Sequence, residues 1–476
     1  MNTRERNIRI AIRGFENYLR AKKRIERKRK IKAIYQKQLH QLNLKYKQQG
    51  QHNRKISKSP FSYRKGKPLP KYPINIKYFS TFPNLFAKSK LPKNDNGYFY
   101  IPETFSLIDN YEESFVFLRR LYSVLHKGKT ADIILDYEKC NRIDVDASIC
   151  MDIILAEFIQ HLTKCTTLGH KGMMPHKIQP VNYQKDQIMK ILFSTGVYRN
   201  LKGWTINYPD IEALPVLINH QNFSDKWNKS EVHLTQIVEY IKKCLNRLGR
   251  ELSSDAETEF YKVVGEIMSN AEEHSTMPHR YAIGFFQESN EGEDNHHGIF
   301  NFSIFNFGNT IYQSFKSADC LNKKAIEQMT ELSEDYTKRG WFSKAEFEEE
   351  TLWTLYALQE GVTSKEKKRG NGSIQYIENF FKLKGDQNYD SISKLVLMSG
   401  NTRITFDGSY NIVEKPKKGE KRNFKMITFN KSGEISEKPD KKYVNFAPNF
   451  FPGTIISARI LIKFDNTNKT TDGNDL

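Results

Sequence analysis

Hydrophobic and polar positions repeat with different periods along this chain, and the changes of period mark its parts. In SSDAETEFYKVVGEIMSNAEEHS, from residue 253, Phe260, Val263, Val264, Ile267, Met268 and Ala271 fall at i, i+3, i+4, i+7, i+8 and i+11, one face of a helix. Further helices are predicted at 231–250, within SKAEFEEETLWTLYALQEG, and after Gly372, where Ile374, Ile377, Phe380, Phe381 and Leu383 recur at helical spacing. Strands are predicted in GIFNFSIFNF, in LVLMSG and TRITFDG (read as hairpins), and in the β-branched run that follows Gly453-Thr454. Between 76 and 205 strand-like and helix-like pieces alternate. A buried strand at 132–137 leads through a polar turn into a helix presenting Ile149, Ile153, Ala156, Phe158 and Leu162, and KIQPV then opens a short strand before a helix ending at Gly196. The pattern predicts an α/β (α+β) fold.

The first 75 residues differ. Ile8, Ile12, Phe15 and Leu19 recur near helical spacing, and Gly and Pro are rare before Gly50, which predicts a long basic helix ending near Gln49. A loop with Pro60, Gly66, Pro68 and Pro70 follows. Residues 1–71 hold 23 Lys and Arg against 3 Asp and Glu, so the whole formal charge of +20 sits in this arm. Such a concentration is the footprint of a polyanion partner, most often nucleic acid, or of a solvated extension. No zinc finger, helix-turn-helix or aromatic stacking motif accompanies it, so binding would be phosphate-directed and salt-sensitive. The predicted organisation is an arm and linker at 1–75, an α/β domain at 76–205, a linker at 206–230, a second domain at 231–465, and a disordered tail at 466–476.

With 38% hydrophobic residues, 31 Phe and 24 Tyr, the 476-residue chain can build sizeable cores, which excludes a wholly disordered protein. No apolar run reaches the ~18 residues of a membrane-spanning helix, and the N-terminus lacks the apolar core of a secretory signal. The five cysteines form no C-x-x-C pair and read as reduced, mostly buried thiols of a cytoplasmic protein.

Candidate chemistry lies after residue 253. Glu266 and Asn270 are one helical turn apart, a carboxylate and a carboxamide able to divide labour between a base and a hard-cation ligand. Three segments follow in order: Asn306-Phe307-Gly308-Asn309-Thr310 after a strand, Gly370-Asn371-Gly372 before a helix, and Gly453-Thr454 in a final strand. Glycines ahead of a helix let backbone N–H groups approach an anion at its positive end.

This order resembles the GHKL superfamily of ATP-binding domains, which includes DNA gyrase, MutL, histidine kinases and anti-sigma-factor serine kinases; the resemblance covers about 231–465. It implies a two-layer α/β sandwich with a mixed sheet that binds ATP and Mg²⁺. Asn270 matches the Mg²⁺-coordinating asparagine, and Glu266 the acidic general base. Asn306 stands where the family has the aspartate that reads the adenine amino group. Gly308 matches the first glycine of the D-x-G-x-G box, with Thr310 in place of the second. Gly370 and Gly372 match the phosphate-facing glycines, and Thr454 the threonine under the adenine. The resemblance makes 312–366 an ATP lid, with Trp353, Leu355, Tyr356 and Leu358 as lid core and the acidic run 346–350 as a solvated face. It implies either an ATPase or an anti-sigma-type serine/threonine kinase, and leaves a homodimer open.

Residues 76–205 resemble the STAS fold of anti-sigma-factor antagonists. Asp144 takes the place of the family's aspartate, but Val145 stands where the phosphorylated serine is expected, followed by Asp146 and Ala147, with Ser148 nearby. The implied role is a docking surface for a protein partner, shared with the lid. The rival expectation is a nucleic-acid-binding scaffold with a vestigial or purely sensing ATP pocket.

Overall fold

The computed structural model describes residues 97–127, 132–167, 177–196, 206–220, 226–273, 279–290, 296–337, 346–364, 372–384, 390–416 and 423–464. The basic arm, the tail, His274 and Gly370 lie outside them, as do the residues between. The class is α/β, with helices and several sheets interleaved.

The first part begins with β1 (Tyr98–Tyr100), β2 (Thr104–Phe105) and α1 (Tyr111–Lys127), then β3 (Asp132–Asp136), β4 (Arg142–Ile143), α2 (Val145–Thr167), β5 (Lys177–Val181) and α3 (Asp186–Ser194). β1, β3 and β5 form a parallel sheet in that order, and β2 pairs with β4. The strand–turn–helix read around 132–162 is β3, β4 and α2. Asp146 fastens the turn: its carboxylate accepts the Leu107 N–H (3.2 Å) and the Ala147 N–H (2.6 Å) at the start of α2.

The second part begins where a linker was expected, because 206–230 contains β6 (Ile211–His220) and the start of α4 (Lys226–Asn246). There follow α5 (Ser254–Glu273), β7 (His279–Asn290), β8 (His296–Phe307), α6 (Ile311–Lys316), α7 (Lys323–Thr337), α8 (Glu349–Ala357), α9 (Gly372–Lys384), β9 (Lys394–Phe406), β10 (Val413–Pro416), β11 (Asn423–Met426) and β12 (Val444–Lys463). The main sheet has the order β6-β7-β8-β12-β9 and is antiparallel throughout, not mixed; parallel pairing is confined to the first part. LVLMSG and TRITFDG are one continuous strand, β9, with Gly400 at φ 61° absorbing the irregularity that suggested a turn. β12 begins well before Gly453, which sits inside it at φ 150°.

The main sheet buries both faces. Phe300, Phe302 and Ile304 of β8 and Ala458, Ile460 and Ile462 of β12 pack with α4, α5, α8 and α9. The alternate residues Phe305, Phe307 and Ile455 share a core with Phe115, Leu118, Ile154 and Phe158 of the first part. Long uninterrupted apolar strands result, because no face is left for water. Thr167 apart, every described residue falls in one compact unit.

Candidate functional site

Period-two alternation sorts the strand residues by face. On the helix-covered face, one row of register partners crosses all five strands: Asn219 of β6, Arg280 of β7, Asn306 of β8, Thr454 of β12 and Ser399 of β9. The row beneath it is Leu217, Ala282, Ile304, Ile456 and Leu397, so the face turns from apolar to polar within a single step. Asn219, Arg280, Asn306 and Ser399 are buried. Buried polar groups at this density need partners or a ligand. Several are found within the chain: Asn219 Nδ2 donates to Ser230 Oγ (3.0 Å), and Ser399 and Thr454 hydroxyls share a hydrogen bond (2.9 Å).

Asn306 and Thr454, distant in sequence, are thus directly opposite one another. Asn306 Nδ2 donates to its neighbour's carbonyl, Phe307 O, at 3.4 Å. Its Oδ1 accepts no hydrogen bond among the described residues and remains an acceptor for an incoming donor such as an amino group. Two glycines allow the strands to close here. A Cβ on Gly453 would lie 2.0 Å from Asn306 O, and Gly308, at φ 131°, donates its N–H to Pro452 O (3.0 Å).

Thr310 has a structural reason to replace a glycine. It caps α6, its hydroxyl accepting from Gln313 N (3.1 Å) while Gln313 Oε1 accepts from Thr310 N (3.0 Å), a complete capping box. The next amide, Ile311 N, donates to Ser399 Oγ (2.9 Å), which joins the start of α6 to the polar row.

Glu266 and Asn270 are partly exposed near the C-terminal end of α5. α5 packs over the same face of the sheet, and the strand that follows it in the chain, β7, has Arg280 as its second residue. α9 packs against α5, and Lys382 near its C-terminus holds Glu259 in the first half of α5 (2.8 Å). The N-terminal end of α6 thus meets the polar row, and α5 and α9 pack over the same face of the sheet.

The expected lid is packed. Trp353, Leu355, Tyr356 and Leu358 are buried in the main core as lid core was expected to be, and Trp353 Nε1 donates to Ser333 Oγ (3.2 Å). The acidic run is solvated only in part: Glu346 and Glu348 are exposed, whereas the next two carboxylates are engaged. Glu349 accepts from Tyr312 OH (2.7 Å) and Lys316 (2.8 Å), and Glu350 Oε1 accepts from Asn401 N (3.0 Å) beside Gly400. Burial pushes the Glu350 carboxyl up to about 7, against the opposing pull of that N–H.

The turn in which a phosphorylated serine would stand is buried: Asp144, Val145, Asp146, Ala147 and Ser148 are each less than 7% exposed. Arg459 of β12 holds Asp144 (3.3 Å) and Asp109 (2.6 Å). Arg459 and Thr454 differ by an odd number of positions and so lie on opposite faces. The turn is therefore separated from Asn306 by the thickness of the sheet.

Comparison with known proteins gives no match: no family model, no curated protein and no solved structure is similar to this chain. No group of three His, Cys, Asp or Glu able to hold a metal occurs among the described residues. An Mg²⁺ carried in on nucleotide phosphates would need only one or two protein oxygens, a smaller demand that Asn270, the expected ligand, could meet. Sequence reasoning missed Ser399, Arg280, Asn219 and Glu350, which are ordinary polar residues until strand register and the α8–β9 contact gather them. Cys140, Cys150, Cys244 and Cys320 are free and buried, as expected, and burial raises the thiols of Cys140, Cys150 and Cys244.

Proposed function

We propose that the chain is an ATP- and Mg²⁺-binding regulatory protein of the GHKL type, which hydrolyses ATP or transfers its phosphate to a protein partner. The observation that carries this reading is the cross-strand pairing of Asn306 with Thr454 on the face below α5. A helix bearing Glu266 and Asn270 packs over this face, and the start of α6 is joined to the same row through Ser399. Asn306 Oδ1 would accept from the adenine amino group, with Thr454 beside it. The N-terminus of α9, opened by Gly372 and preceded by Gly370, would face the phosphates. Mg²⁺ bound with the nucleotide would neutralise phosphate charge. Asn270 would hold the ion through its side-chain oxygen, and Glu266 would take a proton from the attacking hydroxyl or water.

Titration of ATP with Mg²⁺ into wild type and Asn270→Ala tests the site. The expected result is binding to wild type and at least about tenfold weaker binding to the variant. Glu266→Ala should keep binding but lose about 10²–10⁴-fold in phosphate release or transfer. Absence of ATP–Mg²⁺ binding by the folded wild-type chain would overturn the proposal. A labelled protein acceptor would identify a kinase, and free phosphate alone an ATPase. With the 144–148 turn buried, the partner surface falls to the lid or to the exposed remainder of the first part.

The charge of residues 1–71 favours a second reading, a nucleic-acid-binding scaffold in which the nucleotide pocket senses or is vestigial. Deleting 1–71 should then abolish retention on nucleic acid at low salt, and unchanged retention would refute it. No helix among the described residues is long and apolar enough to cross a membrane. The buried free thiols favour a reducing, cytoplasmic setting.

A further inference from the structure

The second face of the main sheet is covered by the first part, except where the two diverge around a cleft of about 670 Å³, a volume typical of small-molecule sites. Its sheet wall is one row of register partners, Phe285, Asn301, Arg459 and Lys394. The facing wall carries Asp109 and the 142–145 turn.

Charge is sorted by depth. The Arg459 and Asp144 side chains, 8% and 7% exposed, lie deepest. Asp109 holds Arg459 (2.6 Å), Lys394 (3.0 Å) and Arg142, while Asp144 holds Arg459 (3.3 Å) and Arg142 (3.4 Å). Arg459 is thus the deepest cation, with Lys394 beside it on the same wall and Arg142 nearer solvent. The exposed Glu103 and Glu113 line the cleft nearer solvent.

A second observation is independent of this charge. Asn301, 9% exposed, keeps a buried Oδ1 with no hydrogen-bond donor among the described residues, one strand from Arg459. Such an acceptor is costly to bury unless a ligand supplies a donor. The deep wall therefore asks for an anion beside a donor, and Phe285 and Ile299 offer an apolar surface next to both.

We propose that this cleft binds a free α-amino acid with an apolar side chain. Its carboxylate meets Arg459 and Lys394, its ammonium meets Asn301 Oδ1 below the acidic rim, and its side chain lies against Phe285 and Ile299. An α-amino acid bears its anion and its donor on one carbon, and Asn301 and Arg459 are register partners on adjacent strands. The site is on the opposite face from Asn306 and stands or falls independently of nucleotide binding.

The test titrates L-phenylalanine, 3-phenylpropanoate and 2-phenylethylamine into the full chain by calorimetry, with thermal unfolding in parallel. L-Phenylalanine should bind and raise Tm. Each analogue, lacking one charged group, should bind at least about tenfold more weakly. Lys394→Met should weaken L-phenylalanine about tenfold, and Asn301→Ala should erase its advantage over 3-phenylpropanoate; circular dichroism confirms that both variants are folded. Neither heat nor a Tm shift with L-phenylalanine or L-leucine at about 10 mM, beyond useful affinity, would overturn the proposal. Equal binding of 3-phenylpropanoate and L-phenylalanine to wild type would overturn it too.

Discussion

Single atoms decide whether the candidate nucleotide row can form. Gly453 is the sharpest case, because a methyl group there would meet the Asn306 carbonyl at 2.0 Å with the backbone already at φ 150°. Gly453→Ala should cost about 2 kcal/mol or more through strain at a position closed to L side chains. A lowered urea midpoint with unchanged slope would report this, and nucleotide binding should fall with it as Asn306 and Thr454 lose register. Glu350 gives a pH prediction. Its folded carboxyl holds a proton up to about 7, whereas an unfolded one releases it in the ordinary carboxylate range. Between those values the native state binds more protons, so this group's contribution to stability falls as pH rises. Glu350→Gln keeps an acceptor for Asn401 N–H and removes the charge. It should flatten stability between about pH 5 and 7 and add about 1 kcal/mol at pH 8, read from denaturant midpoints across pH. An unchanged pH profile would show that Glu350 does not titrate in this window.

At the scale of elements, much was legible from periodicity. The helix at 254–273 and the strands β8 and β12 follow from spacing, since packing selects the period that each sequence carries. What escaped was what register and loops determine. β9 looked like two strands because Gly400 interrupts an apolar run, and β6 looked like a linker because its pairing partner β7 begins some sixty residues later. The N-x-G and G-T segments were visible as glycine punctuation, but Ser399 and Arg280 carry no local signal and join the row only through pairing. The segment 312–366, expected as a lid, shows the same limit. Its apolar residues announced a core, yet not that the core is that of the whole domain. Trp353→Ala should therefore cost about 3–5 kcal/mol, measured by thermal or denaturant unfolding, as for a fully buried aromatic. Lys382→Ala, breaking only the exposed pair with Glu259, should cost less than about 1 kcal/mol. A Trp353→Ala cost as small as that of Lys382→Ala would mean that α8 is a separable flap.

For the whole molecule, the shared core carries a consequence that the sequence-level division into domains did not suggest. Nine large side chains of the second part, Tyr281, Ile283, Phe285, Phe305, Phe307, Val396, Met398, Phe451 and Ile455, are buried together with residues of the first part. Directed contacts accompany them: Phe451 meets the Phe115 ring at 6.4 Å, Asn449 accepts from Arg119 (3.2 Å) and donates to Glu112 (2.7 Å), and Arg403 donates to Ile108 O (2.5 Å). At ~1.5–3 kcal/mol for each buried side chain, exposing this face would forfeit roughly 14–27 kcal/mol as an upper estimate, against the ~5–15 kcal/mol by which a typical protein is stable. A fragment spanning 206–476 holds the complete candidate nucleotide row but none of the first part. It should be recovered insoluble, or as a species that binds a hydrophobic dye and unfolds without a cooperative transition. A fragment spanning 72–476 keeps both sides of the core and should unfold cooperatively near the full-chain Tm. A soluble, cooperative 206–476 fragment with full-chain stability would show that the first part is a detachable appendage. Failure of that fragment alone would mean that any nucleotide-driven change in the sheet is felt directly by the α/β segment behind it.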